Sequence, residues 1–212
     1  MERLICLAAG YVFGLFQTGY LYGKIVHKDI RQYGSGNSGT TNALRVLGKK
    51  AGVIVFIGDF LKAIILCLLI KGIYGHRNPD MAPLLMLYGG FGVVLGHNFP
   101  FYLKFKGGKG IAATSGVIIT MDWRITLVCL AAFIISVGLT RIVSIGSLLV
   151  VTIFLGMWIG LGAAGLLPLH GAFLTESYFV VIAFAALAYW RHRANIRRLL
   201  NGTENKFGSK KS

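Results

Sequence analysis

Seven long apolar blocks, separated by short polar and glycine-rich segments, dominate the pattern of the chain. They are Leu4–Tyr22, Val53–Leu69, Pro83–Gly96, Ile111–Met121, Ile125–Leu139, Ile142–Leu167 and Tyr178–Trp190. Apolar residues fill whole blocks and are not confined to one helical stripe, which is typical of membrane-spanning helices of about 20 residues. The pattern predicts an all-α integral membrane protein whose interior glycines, such as Gly89, Gly90 and Gly92, let the spans pack closely.

The basic residues favour seven transmembrane helices, with the N-terminus outside and the C-terminus cytoplasmic. Lys and Arg collect in cytoplasmic loops, and three clusters occur: Lys24, Lys28, Arg31, Arg45, Lys49 and Lys50; Lys104, Lys106 and Lys109; and Arg191, Arg193, Arg197, Arg198, Lys206, Lys210 and Lys211. The fourth block is short. If it crosses the membrane, all three clusters face the cytoplasm; if it does not, the third cluster moves to the opposite face.

Composition agrees with this class. The chain has 212 residues, of which 55% are hydrophobic and 14% charged, against about 25% charged in soluble domains. We expect a single membrane-embedded domain over residues 1–212, ending in a basic tail at about 201–212.

The net charge of +15 is explained by membrane topology and attraction to anionic membrane lipid. Nucleic acid is disfavoured as a partner, because the aromatic residues fall in the spans and not beside the basic residues.

The three cysteines, Cys6, Cys67 and Cys129, fall inside apolar blocks without metal-ligand spacing. They are interpreted as small core residues, and no metal site is predicted.

The segment GSGNSG, residues 34–39, matches the dinucleotide-binding pattern G-x-G-x-x-G, and Asp59 follows at about the expected distance. That pattern requires a strand before it and a βαβ unit around it. A membrane span precedes it here, and Asp59 lies within the second span. We therefore reject a dinucleotide site.

The same loop suits an anion for another reason. Glycine lets backbone N–H groups approach a ligand closely, and successive N–H groups form an anion-binding nest. Arg45 follows on a short helix, and its guanidinium suits phosphate. The alternative is a flexible connector, for which Gly, Ser and Asn are also natural. The donors proposed to bind substrate here are Ser35, Gly36, Asn37, Gly39, Thr41 and Asn42.

Two further segments carry candidate chemistry. KGGKG, residues 106–110, precedes the fourth block, where a helix N-terminus would favour phosphate; Gly107, Gly108, Lys109 and Gly110 are the candidates. It is not a nucleotide-binding P-loop, because Leu103 and Gly110 break that motif. A basic membrane anchor is the alternative.

Residues near the last two spans complete the candidate set. Ser144 and Ser147 open the sixth block, while His192 and Asn195, three positions apart on one helical face, follow the seventh. Asp59 and Lys62, also three apart, form an ionisable pair inside the second block, which makes them functional candidates. The simpler alternatives, which we favour for this pair, are mutual neutralisation between helices or a Lys62 side chain that reaches the membrane surface.

Together the segments GSGNSGTTNALRVLGKKAG, GHNFPFYLKFKGGKGIAATSG and RHRANIRRLLNGTENKF resemble the three signature regions of the bacterial acyl-phosphate:glycerol-3-phosphate acyltransferases. The resemblance implies a seven-helix enzyme of the cytoplasmic membrane. Its partners would be acyl phosphate and glycerol 3-phosphate, its products lysophosphatidic acid and phosphate, and it would open phospholipid synthesis. It also implies that Ser35, Arg45, Lys109, Ser147, His192 and Asn195 line the site.

No cofactor is expected, because acyl phosphate is already an activated anhydride. The chain lacks the H-x-x-x-x-D motif of other glycerol-phosphate acyltransferases. A substrate phosphate is therefore the hypothetical general base, with His192 as the alternative. Arg45 and Lys109 would hold phosphate, and Asn195 with loop N–H groups would stabilise the oxyanion.

Three other classes of function remain as alternatives at this point: a transporter, a lipid kinase, and a non-enzymatic anchor protein, which would leave the glycine-rich loops unexplained. A transporter for a phosphorylated metabolite would need similar anion sites, but the sequence shows no convincing internal repeat. A lipid kinase would need a nucleotide site and an acidic metal cluster, neither of which the sequence offers on the cytoplasmic side.

Overall fold

The computed structural model describes residues 1–207, and these form helices and connecting loops without a β-strand. Lys210 and Lys211 of the third basic cluster, and the last residues of the predicted tail, lie outside the described residues. The helices are α1 (Glu2–Gly14), α2 (Thr18–Ile25), α3 (Thr40–Leu47), α4 (Lys49–Tyr74), α5 (Ala82–Asn98), α6 (Ile111–Met121), α7 (Trp123–Thr140), α8 (Val143–Ala163), α9 (Gly171–Arg191) and α10 (Arg193–Leu200).

Each of the seven apolar blocks is mostly helical, and six of the resulting segments are long and apolar enough to cross a membrane. These are α1 with α2, α4, α5 with the turn after it, α7, α8 and α9. The remaining block, α6, has 11 residues and is therefore about 16 Å long, which is short against a hydrocarbon core of about 30 Å. It packs against α4 and α5. The prediction of an all-α integral membrane fold is confirmed.

The first block is not one continuous helix, contrary to the prediction. It breaks between α1 and α2 at Gln17, which is 1% exposed. The Gln17 amide donates to the carbonyl oxygens of Gly14 at 3.1 Å and His97 at 3.0 Å. A buried side-chain amide thus satisfies backbone carbonyls that the broken helix and the end of α5 leave open.

Glycine lets α1 and α5 come into backbone contact. A Cβ at Gly10 would lie 2.0 Å from the carbonyl oxygen of Gly89, and one at Gly14 would lie 2.3 Å from that of Val93. A Cβ at Gly92 would likewise meet the Leu7 carbonyl oxygen at 2.2 Å. The expected close packing of spans through small residues is confirmed for this pair, and α5 becomes the central helix of the protein.

Aromatic rings lie beside the basic residues, which corrects the expectation that the two would be separate. Lys24 Nζ lies 5.0 Å from the ring centre of Tyr20, and the Arg193 guanidinium carbon lies 4.3 Å from that of Trp190. Tyr and Trp concentrate at the membrane–water boundary, where basic side chains also gather. The contacts therefore belong to a membrane interface.

The two ends of the helix bundle differ in chemistry. At one end Glu176 accepts hydrogen bonds from Arg3 Nη2 at 2.7 Å and from the Tyr88 hydroxyl at 2.8 Å, which ties α1, α5 and α9 together. The opposite end carries the glycine-rich loops and most of the basic residues. Cys6, Cys67 and Cys129 are buried and free, as predicted.

Candidate active site

The glycine-rich end of the bundle surrounds a cavity of about 820 Å³. Most of its walls come from four stretches far apart in sequence: the loop and helix α3, the start of α6, the start of α8, and the chain after α9; Asp59 of α4 and His97 of α5 also line it. The sequence-predicted residues that line it are Ser35, Asn37, Gly39, Thr41, Asn42, Arg45, Lys109, Gly110, Ser144, Ser147, His192 and Asn195. Gly36, Gly107 and Gly108 are not among its lining residues.

The first glycine-rich loop is organised by the buried side chain of Asn42. Its amide nitrogen donates to the carbonyl oxygens of Ile30 and Asn37, both at 2.8 Å, and its oxygen accepts from Ser35 N–H at 2.9 Å. Gly34, at φ +63°, makes the turn, and a Cβ there would lie 2.3 Å from the Asn42 oxygen. Asn42 therefore holds the loop in shape, which corrects its predicted role as a donor to substrate.

The predicted nest of loop N–H groups is partly occupied. Besides Ser35, the N–H of Gly39 donates to the Asn37 side-chain oxygen at 2.9 Å, and that of Gly36 donates to the Tyr33 carbonyl at 3.1 Å. Side chains therefore have to supply part of any anion binding at this loop. Arg45, on α3, is exposed and supplies the permanent charge.

The second glycine-rich loop differs from the prediction in the same way. Gly107 and Gly108 donate their N–H groups to the carbonyl oxygens of Asn98 at 3.2 Å and His97 at 3.0 Å. Their own carbonyls accept from Arg191 Nη2 at 3.0 and 2.7 Å. Both glycines are thus part of the scaffold and do not present N–H groups to a phosphate.

Lys109 supplies the charge that this loop brings to the cavity. Its ammonium donates to the side-chain oxygen of Asn195. Burial, reinforced by the nearby Arg198, lowers the pKa of Lys109 to about 8. A cation that titrates near neutrality and lines a cavity is a candidate functional group.

The other side of Asn195 is occupied by Glu204. The Asn195 amide nitrogen donates to Glu204 Oε1 at 2.9 Å, and Arg198 Nε donates to Glu204 Oε2 at 2.8 Å. Asn195 therefore connects Lys109 to a carboxylate, and its role as an oxyanion donor stays a prediction. Sequence reasoning missed Glu204, because nothing in its local pattern distinguishes it from a tail residue.

The first part of the tail also belongs to the site. Glu204, Asn205, Lys206 and Phe207 line the cavity, and Phe207 N–H donates to the Arg141 carbonyl at 2.5 Å. These residues belong to the basic tail expected at about 201–212, so the tail from Glu204 to Phe207 contributes to the cavity wall.

His192 is almost fully buried, at 2% exposure. Its Nδ1 lies 2.8 Å from the Ala188 carbonyl oxygen, and since a carbonyl only accepts, Nδ1 carries the proton. Burial, with the charge of Lys109 adding to it, lowers the pKa of His192 to about 4. The imidazole is therefore neutral at pH 7, and its Nε2 is a hydrogen-bond acceptor.

Two hydroxyl groups in the cavity wall have unmet hydrogen-bonding capacity. Among residues 1–207, Ser144 Oγ and Thr40 Oγ1 are buried without a partner, while Ser147 donates to the Val143 carbonyl at 3.0 Å. Buried polar atoms nearly always have partners. Ser144 and Thr40 are thus suited to a ligand or water in the cavity.

The comparisons with known proteins identify the family. The model of a family described as glycerol-3-phosphate acyltransferase matches residues 4–202. A glycerol-3-phosphate acyltransferase of Clostridioides difficile is 39% identical over 98% of this chain and 97% of its own length. One from Thermoanaerobacter pseudethanolicus is 38% identical over 99% of this chain and 98% of its own.

Two solved structures of PlsY, an integral membrane glycerol 3-phosphate acyltransferase, superpose on the chain. Its glycerol 3-phosphate form has a TM-score of 0.82, and its lysophosphatidic acid form has one of 0.79. Each is 33% identical and covers 98% of this chain and 96% of its own. The chain belongs to the glycerol-3-phosphate acyltransferase family and is a multi-pass membrane protein.

Proposed function

We propose that this protein transfers a fatty acyl group from acyl phosphate to glycerol 3-phosphate, giving lysophosphatidic acid and inorganic phosphate. The observation that carries the proposal is a single cavity that joins cationic and apolar walls. Arg45 and Lys109 line it together with Leu44, Ile111 and Val143. Both substrates carry phosphate, and one also carries an acyl chain, so this combination fits the pair.

The cations of the cavity bind and orient the two phosphate groups. Arg45 offers a planar fork of donors that matches phosphate oxygens, and Lys109 offers a point charge. Ser144, with its unpartnered buried hydroxyl, adds a neutral donor. Holding both reactants in one site supplies the proximity that the transfer needs.

In the transfer step, the primary hydroxyl oxygen of glycerol 3-phosphate forms a bond to the acyl carbonyl carbon. The bond from that carbon to the phosphate oxygen breaks, and the proton of the hydroxyl passes to a phosphate, so that atoms and charge balance. A phosphate has a second pKa of about 6, close to the operating pH as an efficient base requires. His192, with its pKa lowered to about 4, is a much weaker base; its Nε2 orients the hydroxyl.

We also propose seven membrane crossings, with the cavity facing the cytoplasm of a bacterial inner membrane. Although α6 is short, it starts at the cavity with Ile111 and ends beside α7. This path supports a crossing. The basic clusters then lie on the inner side, as membrane proteins require.

The test of the proposed function is a comparison of acyl donors with the purified protein. Glycerol 3-phosphate is supplied with acyl phosphate, acyl-CoA or acyl carrier protein, and lysophosphatidic acid is measured. We expect product from acyl phosphate, with one phosphate released per product. If product forms from acyl-CoA or acyl carrier protein but not from acyl phosphate, acyl phosphate is not the donor. If glycerol 3-phosphate is taken up into proteoliposomes and no product forms, the transporter alternative is favoured.

The orientation has its own test, which uses single added cysteines and a membrane-impermeant thiol reagent on intact cells. Asn78→Cys, at the end opposite the cavity, is expected to react from outside. Ser35→Cys and Asn201→Cys are expected to react only after permeabilisation. Reaction of Ser35→Cys in intact cells would contradict a cytoplasmic site.

A further inference from the structure

A group of ionisable side chains lies inside the bundle, next to the cavity but apart from its cations. Asp59, Lys62 and His97 are 1%, 6% and 3% exposed. Asp59 and His97 also line the cavity. Ionisable groups inside a membrane protein need partners and commonly mark a functional site.

The Lys62 side chain stays inside the bundle and does not reach the membrane surface. It has more partners than the mutual neutralisation favoured from the sequence. Its Nζ lies 2.7 Å from the Phe16 carbonyl oxygen, 2.9 Å from Asp59 Oδ1 and 3.0 Å from His97 Nδ1. A lysine ammonium has three N–H donors and no acceptor. Three acceptors at these distances match it one for one.

The third contact fixes the state of His97. Because Lys62 can only donate, His97 Nδ1 must accept, and an accepting Nδ1 carries no proton. The imidazole is therefore neutral with its proton on Nε2. The rival arrangement, a protonated Nδ1 directed at Asp59, has a longer separation of 3.5 Å and would place an N–H against the ammonium.

The opposite edge of the His97 ring meets the second glycine-rich loop. A Cβ at Gly108 would lie 1.9 Å from His97 Nε2, so the glycine sits directly against the ring. The His97 carbonyl also accepts from Gly108 N–H at 3.0 Å. Lys109 is the next residue. The position of the His97 ring therefore determines the position of the Lys109 backbone.

We propose that Asp59, Lys62 and His97 form a positioning network for Lys109. Asp59 and the Phe16 carbonyl accept hydrogen bonds from the Lys62 ammonium. The ammonium donates to His97 and stabilises its Nε2–H tautomer. The His97 ring packs against Gly108 and fixes its position. The network thereby sets the phosphate-binding geometry of the next side chain. This inference rests on the proposed function for its kinetic consequence but not for its tautomer.

The tautomer is measured directly by ¹⁵N NMR of histidine-labelled protein in nanodiscs, with His97→Gln assigning the signal. We expect a bare Nδ1 and a protonated Nε2 in the intact chain. Lys62→Met removes the donor that faces Nδ1, and the tautomer preference should be lost. A protonated Nδ1 in the unaltered protein would overturn the proposal, whether or not the protein transfers acyl groups.

The kinetic consequence is measured on Asp59→Leu/Lys62→Met, since replacing both members of a buried pair by apolar residues commonly preserves stability. We expect a folded variant whose KM for glycerol 3-phosphate rises at least about fivefold, as for a displaced binding group. Leu61→Met, on the exposed side of α4, is the matched control. If the double variant folds and its KM is unchanged, Asp59 and Lys62 have a structural role only and do not position Lys109.

If the double variant does not fold, substitutions of His97 test the same proposal. His97→Gln keeps a side chain of similar reach with an acceptor and a donor, and should retain a KM closer to the original than His97→Leu does. Equal KM values for the two would contradict a role through hydrogen bonding. If no variant and no intact protein forms product while the tautomer is as expected, the proposed function fails and the network stands.

Discussion

The ammonium of Lys109 donates to the side-chain oxygen of Asn195, although the two residues are 86 positions apart. Glu204 holds the other end of the same amide. The amide thus links the loop before α6 to the helix after α9, and it aims the cation at the cavity. This contact joins two of the three segments that the sequence singled out.

Asn195→Ala leaves the Lys109 ammonium and the Glu204 carboxylate without their common partner, so Lys109 should lose its position. We expect kcat/KM to fall about a hundredfold, the scale of a misplaced catalytic group. Steady-state kinetics measures it. Asn201→Ala, at an exposed position just after α10, is the control, and an equal loss there would show a general effect of the fold.

The pH profile tests the charge of Lys109. With a pKa lowered to about 8, the side chain is a cation below pH 8 and becomes neutral above it. Binding of a phosphate dianion should weaken as the charge is lost, so kcat/KM should fall above about pH 8, because it reports the free enzyme. Lys109→Arg should move this fall to higher pH. An unchanged alkaline fall in Lys109→Arg would assign it to another group.

His192 distinguishes the two candidate bases. If a substrate phosphate takes the proton, His192→Ala should lower kcat by less than about a thousandfold, because the general base, which can contribute about 10²–10⁴-fold, is then still present. The acidic fall of activity near pH 6 should also persist, since it belongs to phosphate. A loss above a thousandfold with unchanged substrate binding would instead make His192 the base.

Because the backbones of α1 and α5 are in contact, a larger side chain between them should lower the stability of the protein. Gly10→Leu would place a side chain where the Gly89 carbonyl oxygen lies 2.0 Å from the Cβ position. We expect a loss of about 1–3 kcal/mol or more in the free energy of unfolding, as for an overpacked core. Thermal unfolding in detergent measures it. At Gly138 a Cβ meets nothing within 4 Å, so Gly138→Ala should leave the midpoint unchanged or higher.

The sequence predicted the helices well, because membrane helices depend on composition over about 20 residues. It also predicted that Arg45, Lys109 and His192 would share a site, through loop chemistry and a family resemblance. It did not predict the break at Gln17, since that break is stabilised by carbonyls of α5. Partners distant in sequence decide such details.

The same reason explains the errors at the glycine-rich loops. Glycine predicts that N–H groups can approach a ligand, but Gly107 and Gly108 are occupied by the end of α5, and Arg191 takes their carbonyls. Asn42 looks like a ligand-binding amide and instead closes its own loop. Local chemistry identified the right segments, whereas the tertiary contacts assigned the roles.

We propose that the cavity holds glycerol 3-phosphate by its phosphate, with Arg45 as a main contact. Calorimetric titration of the protein with glycerol 3-phosphate tests it most directly. We predict that Arg45→Ala raises the Kd at least about tenfold, the scale of a lost charged hydrogen bond, while Arg197→Ala, on the exposed side of α10, leaves it unchanged. Equal affinity in Arg45→Ala and the unaltered protein would contradict the account.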